Sequence, residues 1–234
     1  MPALQTNLGI KRIYFSRTNA QKKSATAAII GGRTMGRVYA GKVVLPNGKK
    51  QAVAIKLFKT ALSAEQAKRY QTTIEDLRAA GVKIPRMAMV KLPKGTPLGS
   101  GALQHEMWAQ ISQLFGSVKR GSKIQKINTL TFPTPETRMQ ATQELTKIAN
   151  AGYLPVEDSI NIMRTKRGIE IIPADIDYIV YHGKQSVERR AKLLAQTILK
   201  ITNGPTEEYS KLLEAAIRTA NPRLREYLEK EKLS

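Results

Sequence analysis

The chain has 234 residues, of which 41% are hydrophobic and 24% charged, enough to bury a sizeable core in one large domain or two small lobes. It has no cysteine and two histidines, His105 and His182, which excludes a disulfide framework, a thiolate metal site and a histidine-rich metal centre. A formal net charge of +21 draws anionic partners through long-range potential and says nothing about fold.

The charge is uneven. Residues 1–64 hold twelve Lys or Arg and no Asp or Glu, whereas residues 205–234 hold six of each sign. Nucleic-acid binding is therefore a rival reading, although no recognised nucleic-acid signature is present and aromatic content is 6%. No apolar run approaches the roughly 20 residues of a membrane span. No signal-peptide core precedes Lys11-Arg12, so a cytoplasmic product is expected, with delivery by a specialised secretion system outside what these residues reveal. Nothing in the pattern specifies an oligomeric state.

Residues 1–25 read as a basic arm or short strand. Three strands follow: Ala28 to Ile30, Arg37 to Leu45 and Gln51 to Phe58, the last two joined by the hairpin signal Pro46-Asn47-Gly48. The first two flank a glycine-rich turn, Gly31-Gly32-Arg33-Thr34-Met35-Gly36. Such glycines permit positive φ and let backbone N–H groups approach a phosphate, or they form a plain hairpin. Residues 63–80 read as a helix. Ser63 and Gln66 form its capping box, Ala67, Tyr70, Ile74 and Leu77 its apolar face, and Gly81 its stop.

A strand is predicted from Met87 to Leu92, and a hinge or linker from Pro93 to Gly101. An amphipathic helix is predicted over 102–115 from Leu103, Met107, Ile111 and Leu114, with His105 and Trp108 as packing residues. Residues 116–129 are basic and read as loop. Helices are predicted over 136–151, 185–202, 206–220 and 222–230. Between the first two lies a segment of two short strands, Ile160 to Met163 and Ile169 to Ile172, turning at Lys166-Arg167-Gly168. Acidic groups, Asp158, Asp175 and Asp177, stand at its ends, where they can meet a cation or simply be solvated.

The organising stretch is Val53-Ala54-Ile55-Lys56. A lysine ending an apolar strand either reaches water or has an anionic partner, because an unpaired buried ammonium is costly. This stretch matches the third-strand motif of protein kinases letter for letter. Gly31, Gly36 and Val38 precede it with spacing that resembles the kinase phosphate loop, Arg33 standing where that pattern has its middle glycine. Glu75 follows Lys56 by nineteen residues on a helix, where kinases place the glutamate that pairs with this lysine. Asp158 with Asn161, then Asp175 seventeen residues after Asp158, resemble the catalytic loop and the metal-binding motif. The matches cover about residues 28–180, and the chain resembles a minimal, divergent member of the protein-kinase-like superfamily, close in kind to the small effector kinases of pathogenic bacteria.

The resemblance implies an α+β, two-lobed fold. An N-lobe of small antiparallel sheet and one main helix would span 26–98, and a reduced, mainly helical C-lobe 99–234. It implies ATP and Mg²⁺ as cofactors and a protein substrate, with a host-cell protein as one option. Lys56 would meet the α/β-phosphates and pair with Glu75. Gly31, Gly32, Arg33, Gly36 and Val38 would cover the nucleotide, and Asn161 and Asp175 would hold the metal. Asp158 would orient the acceptor hydroxyl, and Asp177 would be a further ligand or a brace. The sequence departs from the family pattern in several places. Val156-Glu157 replaces the His-Arg before the catalytic aspartate, Asn161 follows Asp158 by three residues instead of five, and Asp175 is not followed by Phe-Gly. Counted back from Asn161, the aspartate position falls on Val156. An inactive pseudokinase and an enzyme that transfers AMP therefore stand as alternatives.

Overall fold

The computed structural model describes residues 12–15, 29–31, 36–98, 101–113, 125–126, 134–155, 160–165, 168–173 and 176–233. The fold is α+β and divides into two units. Residues 1–72 and 86–115 make the first, and residues 73–85 and 116–234 the second.

The first unit is built on an antiparallel sheet of β1 (Arg12–Phe15), β2 (Ile29–Gly31), β3 (Gly36–Val44), β4 (Lys50–Phe58), β5 (Met87–Leu92) and β8 (Met107–Gln113). Its order is β1-β3-β4-β8-β5, and β2 lies along β3 beside β1. The β3–β4 turn forms as expected. Gly48 N–H donates to Leu45 O at 2.9 Å with φ +78°, and Lys49 N–H donates to Asn47 Oδ1 at 3.0 Å. One sheet face carries the core of Val53, Ile55, Leu57, Val90, Leu92, Ala109 and Ile111, which alternate along their strands as period two requires. The first turns of α1 (Ala64–Ala79) pack on the opposite face, where the Phe58 and Tyr70 rings meet edge to face at 5.1 Å and Met89 N–H donates to Gln71 Oε1 at 3.2 Å. The Ser63–Gln66 capping box is present, with bonds of 3.1 and 2.8 Å.

Two expectations fail here. The helix expected over 102–115 is replaced by β8, which is inserted between β4 and β5 and pairs with both; His105 is exposed and Trp108 half-buried. The hinge expected over 93–101 is instead a small ladder, β6 (Pro97–Leu98) with β7 (Gly101–Ala102). It is held by reciprocal bonds, Gly95 N–H to Leu103 O and Leu103 N–H to Thr96 O. The sheet unit therefore extends past residue 98, the boundary expected from sequence, because its second ladder partner comes from 107–113.

The second unit contains the last turns of α1, then α2 (Pro135–Asn150), β9 (Gln125–Lys126), β10 (Ile160–Thr165), β11 (Gly168–Pro173), α3 (Asp177–His182), α4 (Val187–Ile201), α5 (Glu207–Thr219) and α6 (Pro222–Leu233). Thr134 caps α2 with Pro135 at its first position, and Ser186 and Thr206 cap α4 and α5. Leu145, Ile160, Leu194, Ile198, Leu212, Leu213, Leu224 and Leu228 form its core. The expected hairpin forms with Thr165 opposite Gly168, and β9 joins it as a third strand in the stretch expected to be loop. Helix α3 was not expected. Ile176 and Ile179, both fully buried, anchor this single short helix.

Candidate functional site

Strand β4 sets the direction of each side chain near the lysine. Val53, Ile55 and Leu57 are buried on the core face, so Ala54 and Lys56 stand on the other face, and both are half-buried. Lys56 lies opposite Val38 on β3 and Gln110 on β8. Val38 in turn faces Gly31, and Gln110 faces Met89. Gly31, Val38, Lys56, Gln110 and Met89 thus form one cross-strand row over five strands.

The ammonium has a defined direction within the sheet unit. Lys56 Nζ lies 5.7 Å from the centroid of the Phe58 ring, within cation–π range. Phe58 is opposite Gly36, the first residue of β3. The lysine therefore leans toward the end of β4 that lies opposite the start of β3. Gly36 has a structural reason to be glycine. A Cβ there would stand 2.3 Å from Leu57 O and 3.1 Å from Phe58 Cα, both backbone atoms that cannot move aside cheaply.

Gln110 is a residue that sequence reasoning missed. It is 5% exposed, its Nε2 is 3.6 Å from Met87 Sδ, and its Oε1 has no partner among the described residues. Only the register reveals it as the neighbour of Lys56, because 54 residues separate the two in sequence.

In the second unit, Glu75 is an exposed residue of α1. Its neighbour Asp76 accepts from Tyr153 Oη at 2.8 Å and lies 3.0 Å from Lys184 Nζ. Burial pushes the Asp76 carboxyl up, but the bonds from Tyr153 and Lys184 and the Lys184 charge outweigh it and hold the group below its ordinary value. Burial, with the Asp76 acceptor adding to it against a hydrogen bond from Thr73, pushes the Tyr153 phenol up to about 12. The backbone of Asn161 is on β10, paired with Ile172 and Lys126. Asp177 is buried at the start of α3. Gly32, Arg33, Asp158 and Asp175 lie outside the described residues. Among the described residues no group of three His, Asp or Glu gathers as a metal site. The structure thus brings Gly31, Gly36, Val38 and Lys56 together and assigns Glu75 and Asn161 to elements of the other unit.

No family model matches the chain, and no curated protein matches it. Among solved structures it is similar to the kinase domain of maize sucrose-induced receptor kinase 1 bound to AMP-PNP. The identity is 12%, the match covers 93% of this chain and 98% of that one, and the TM-score is 0.45. It is also similar to an Stt7 homolog from Micromonas algae soaked with ATP, at 14% identity over 100% of this chain and 78% of that one, with a TM-score of 0.46. The functional reading rests on the chain's own residues. Among the described residues no helix is long and apolar enough to cross a membrane.

Proposed function

We propose that the chain is an ATP-dependent phosphotransferase of protein-kinase type, acting on a protein hydroxyl. The observation that carries the reading is the cross-strand row. The lysine of Val53-Ala54-Ile55-Lys56 stands between Val38 and Gln110 and leans toward the end of the sheet where Gly36 opens β3. A fixed ammonium beside the half-buried, small apolar side chains of Val38 and Ala54 suits a phosphorylated aromatic base, with the ring on the apolar strip and the phosphates toward the cation. Mg-ATP would supply the transferable phosphoryl group and much of the charge neutralisation that such a reaction needs.

The chain's own residues take the remaining roles. Lys56 binds the α/β-phosphates, and Glu75 is the carboxylate that the kinase resemblance assigns to it. Backbone amides of Gly31, Gly32, Arg33 and Gly36 cover the phosphates, with Val38 under the base. Asn161 and Asp175 hold the metal, and Asp158 orients the acceptor hydroxyl. The finer part of the proposal is that the acceptor is Ser or Thr of a host protein, reached as a secreted bacterial effector. It rests on the likeness of the reduced catalytic region to effector kinases.

The test is transfer of label from γ-labelled ATP to proteins of a eukaryotic lysate, beside ATP/Mg²⁺ thermal shift. Wild type should label protein and be stabilised by nucleotide, and Lys56→Ala should lose both. Asp158→Ala should keep binding and lose transfer. Nucleotide binding without transfer would make the chain a pseudokinase, and label from α-labelled ATP alone would make it an AMP transferase. No nucleotide response at all would overturn the reading.

A further inference from the structure

Strand β8 lies between β4 and β5, and its side chains alternate between the two faces of the sheet. Ala109 and Ile111 enter the core face, so Gln110 stands on the face that carries Lys56. Gln110 is buried there. Its amide nitrogen meets a weak acceptor, Met87 Sδ, at 3.6 Å, and its oxygen Oε1 has no partner among the described residues. A buried oxygen left without a donor lowers stability, whereas an apolar side chain of the same shape would fill the space without that penalty. Such a group calls for a role beyond packing.

The register supplies a donor. Directly opposed side chains on one face of an antiparallel pair have Cβ atoms about 4.5–5.5 Å apart, and Lys56 is directly opposite Gln110. Of the row Gly31, Val38, Lys56, Gln110 and Met89, Gln110 alone carries a side-chain oxygen. In this structure the ammonium is not on that oxygen; it stands 5.7 Å from the centroid of the Phe58 ring. We propose that Gln110 is a positioning residue for Lys56, its Oε1 accepting one N–H of the ammonium when Mg-ATP binds. An ammonium has three donors. In the phosphotransferase reading, on which this inference rests, a nucleotide phosphate takes one and the carboxylate of the kinase resemblance, Glu75, takes another. The third falls to the opposed side chain. A neutral amide fixes the ammonium without neutralising it, so its charge remains for the phosphates; a second carboxylate would compete with them.

Two measurements test this. The first compares wild type with Gln110→Met, which keeps the length of the side chain and removes the oxygen. Its melting temperature without nucleotide should hold or rise, because an unpartnered amide is replaced by an apolar group of similar shape. Its affinity for ATP/Mg²⁺ should fall at least about tenfold, appearing as a raised KM with kcat largely kept. A melting temperature that falls along with the affinity would make Gln110 a structural group and overturn the inference. An unchanged affinity would overturn it too, and leave the phosphotransferase reading standing. A wild type that ignores nucleotide would overturn both. The second measurement needs no nucleotide. Gln110→Glu places a carboxylate at the buried position, which Lys56 can pair if it reaches that far. The double variant Lys56→Met/Gln110→Glu should therefore melt about 6–12 °C below the sum of the single effects, as when one partner of a buried ion pair is removed. Additive melting temperatures would put residue 110 beyond the reach of the ammonium and overturn the inference.

Discussion

In the sheet unit Ile55 is buried between Tyr39 on one neighbouring strand and Ile111 on the other, the latter 56 residues away in sequence. In the helical unit Leu194 and Ile198 lie one turn apart on α4 and meet Leu145, Leu212 and Leu224 from helices that each repeat the same spacing. The first arrangement fixes one face of every strand and leaves the other half-open, and on that face Val38, Ala54 and Lys56 stand. The second closes nearly every inward position with an apolar side chain. The proposed chemistry and the stability thus fall to different kinds of packing: a half-open sheet face can keep a cation without burying it, whereas a closed helical core cannot.

Removing the lysine tests that division most severely. Lys56→Met should cut protein labelling by γ-labelled ATP at least about 100-fold, the size of effect seen when a preorganised charge is removed from a reacting site. The melting temperature should change little, since a half-buried methionine loses no core contact. A large fall in melting temperature would show that Lys56 is a structural group.

A core truncation in the helical unit should do the reverse. Leu194→Ala empties a fully buried position and should lower the unfolding free energy by about 2–5 kcal/mol, read from urea titration. Gly36→Ala probes the sheet unit by overpacking. A methyl group 2.3 Å from Leu57 O forces β3 away from β4 and should cost about 1–3 kcal/mol. If Gly36 served only a phosphate loop, the variant would lose nucleotide affinity and keep its stability.

Helical packing was the more legible in sequence. The repeats at three and four residues placed α2, α4, α5 and α6 within a few residues of their observed ends, and Ser63, Gln66 and Gly81 marked both ends of α1. Strand β8 was misread for a physical reason. Met107 and Ile111 are four residues apart, which suits a helix turn and is also two periods of a strand, and buried Ala109 between them gave no distinct signal. What decides the matter is that β4 and β5 both need a ladder partner, a requirement that only tertiary context supplies. Helix α3 escaped because Asp177-Tyr-Ile-Val-Tyr-His182 is rich in aromatic and β-branched residues that favour strands. Of the candidate site, Val53 to Lys56, Gly31, Gly36 and Val38 were legible as a motif with spacing. Gln110 and Phe58 were not, since cross-strand neighbours leave no trace in local order.

The smallest effect concerns the Asp76 cluster, which ties the end of α1 to Tyr153 and Lys184 inside the helical unit. The Asp76 carboxyl is held below its ordinary 3.8, so its bonds contribute fully above that value and the contribution disappears as pH falls through the lowered folded-state value. Stability measured by urea titration at pH 5 and again well below 3.8 should therefore fall by about 1 kcal/mol more in wild type than in Asp76→Asn, a modest figure because Lys184 is largely exposed. Tyr153 works at the opposite end of the scale. Its phenol is raised to about 12, so the bond it donates persists up to its ordinary value of 10 and weakens only between the two. Tyr153→Phe should cost about 1 kcal/mol at neutral pH, and its stability should change less than that of wild type between pH 10 and 12. Equal alkaline slopes in both proteins would mean that the phenol is not held by Asp76.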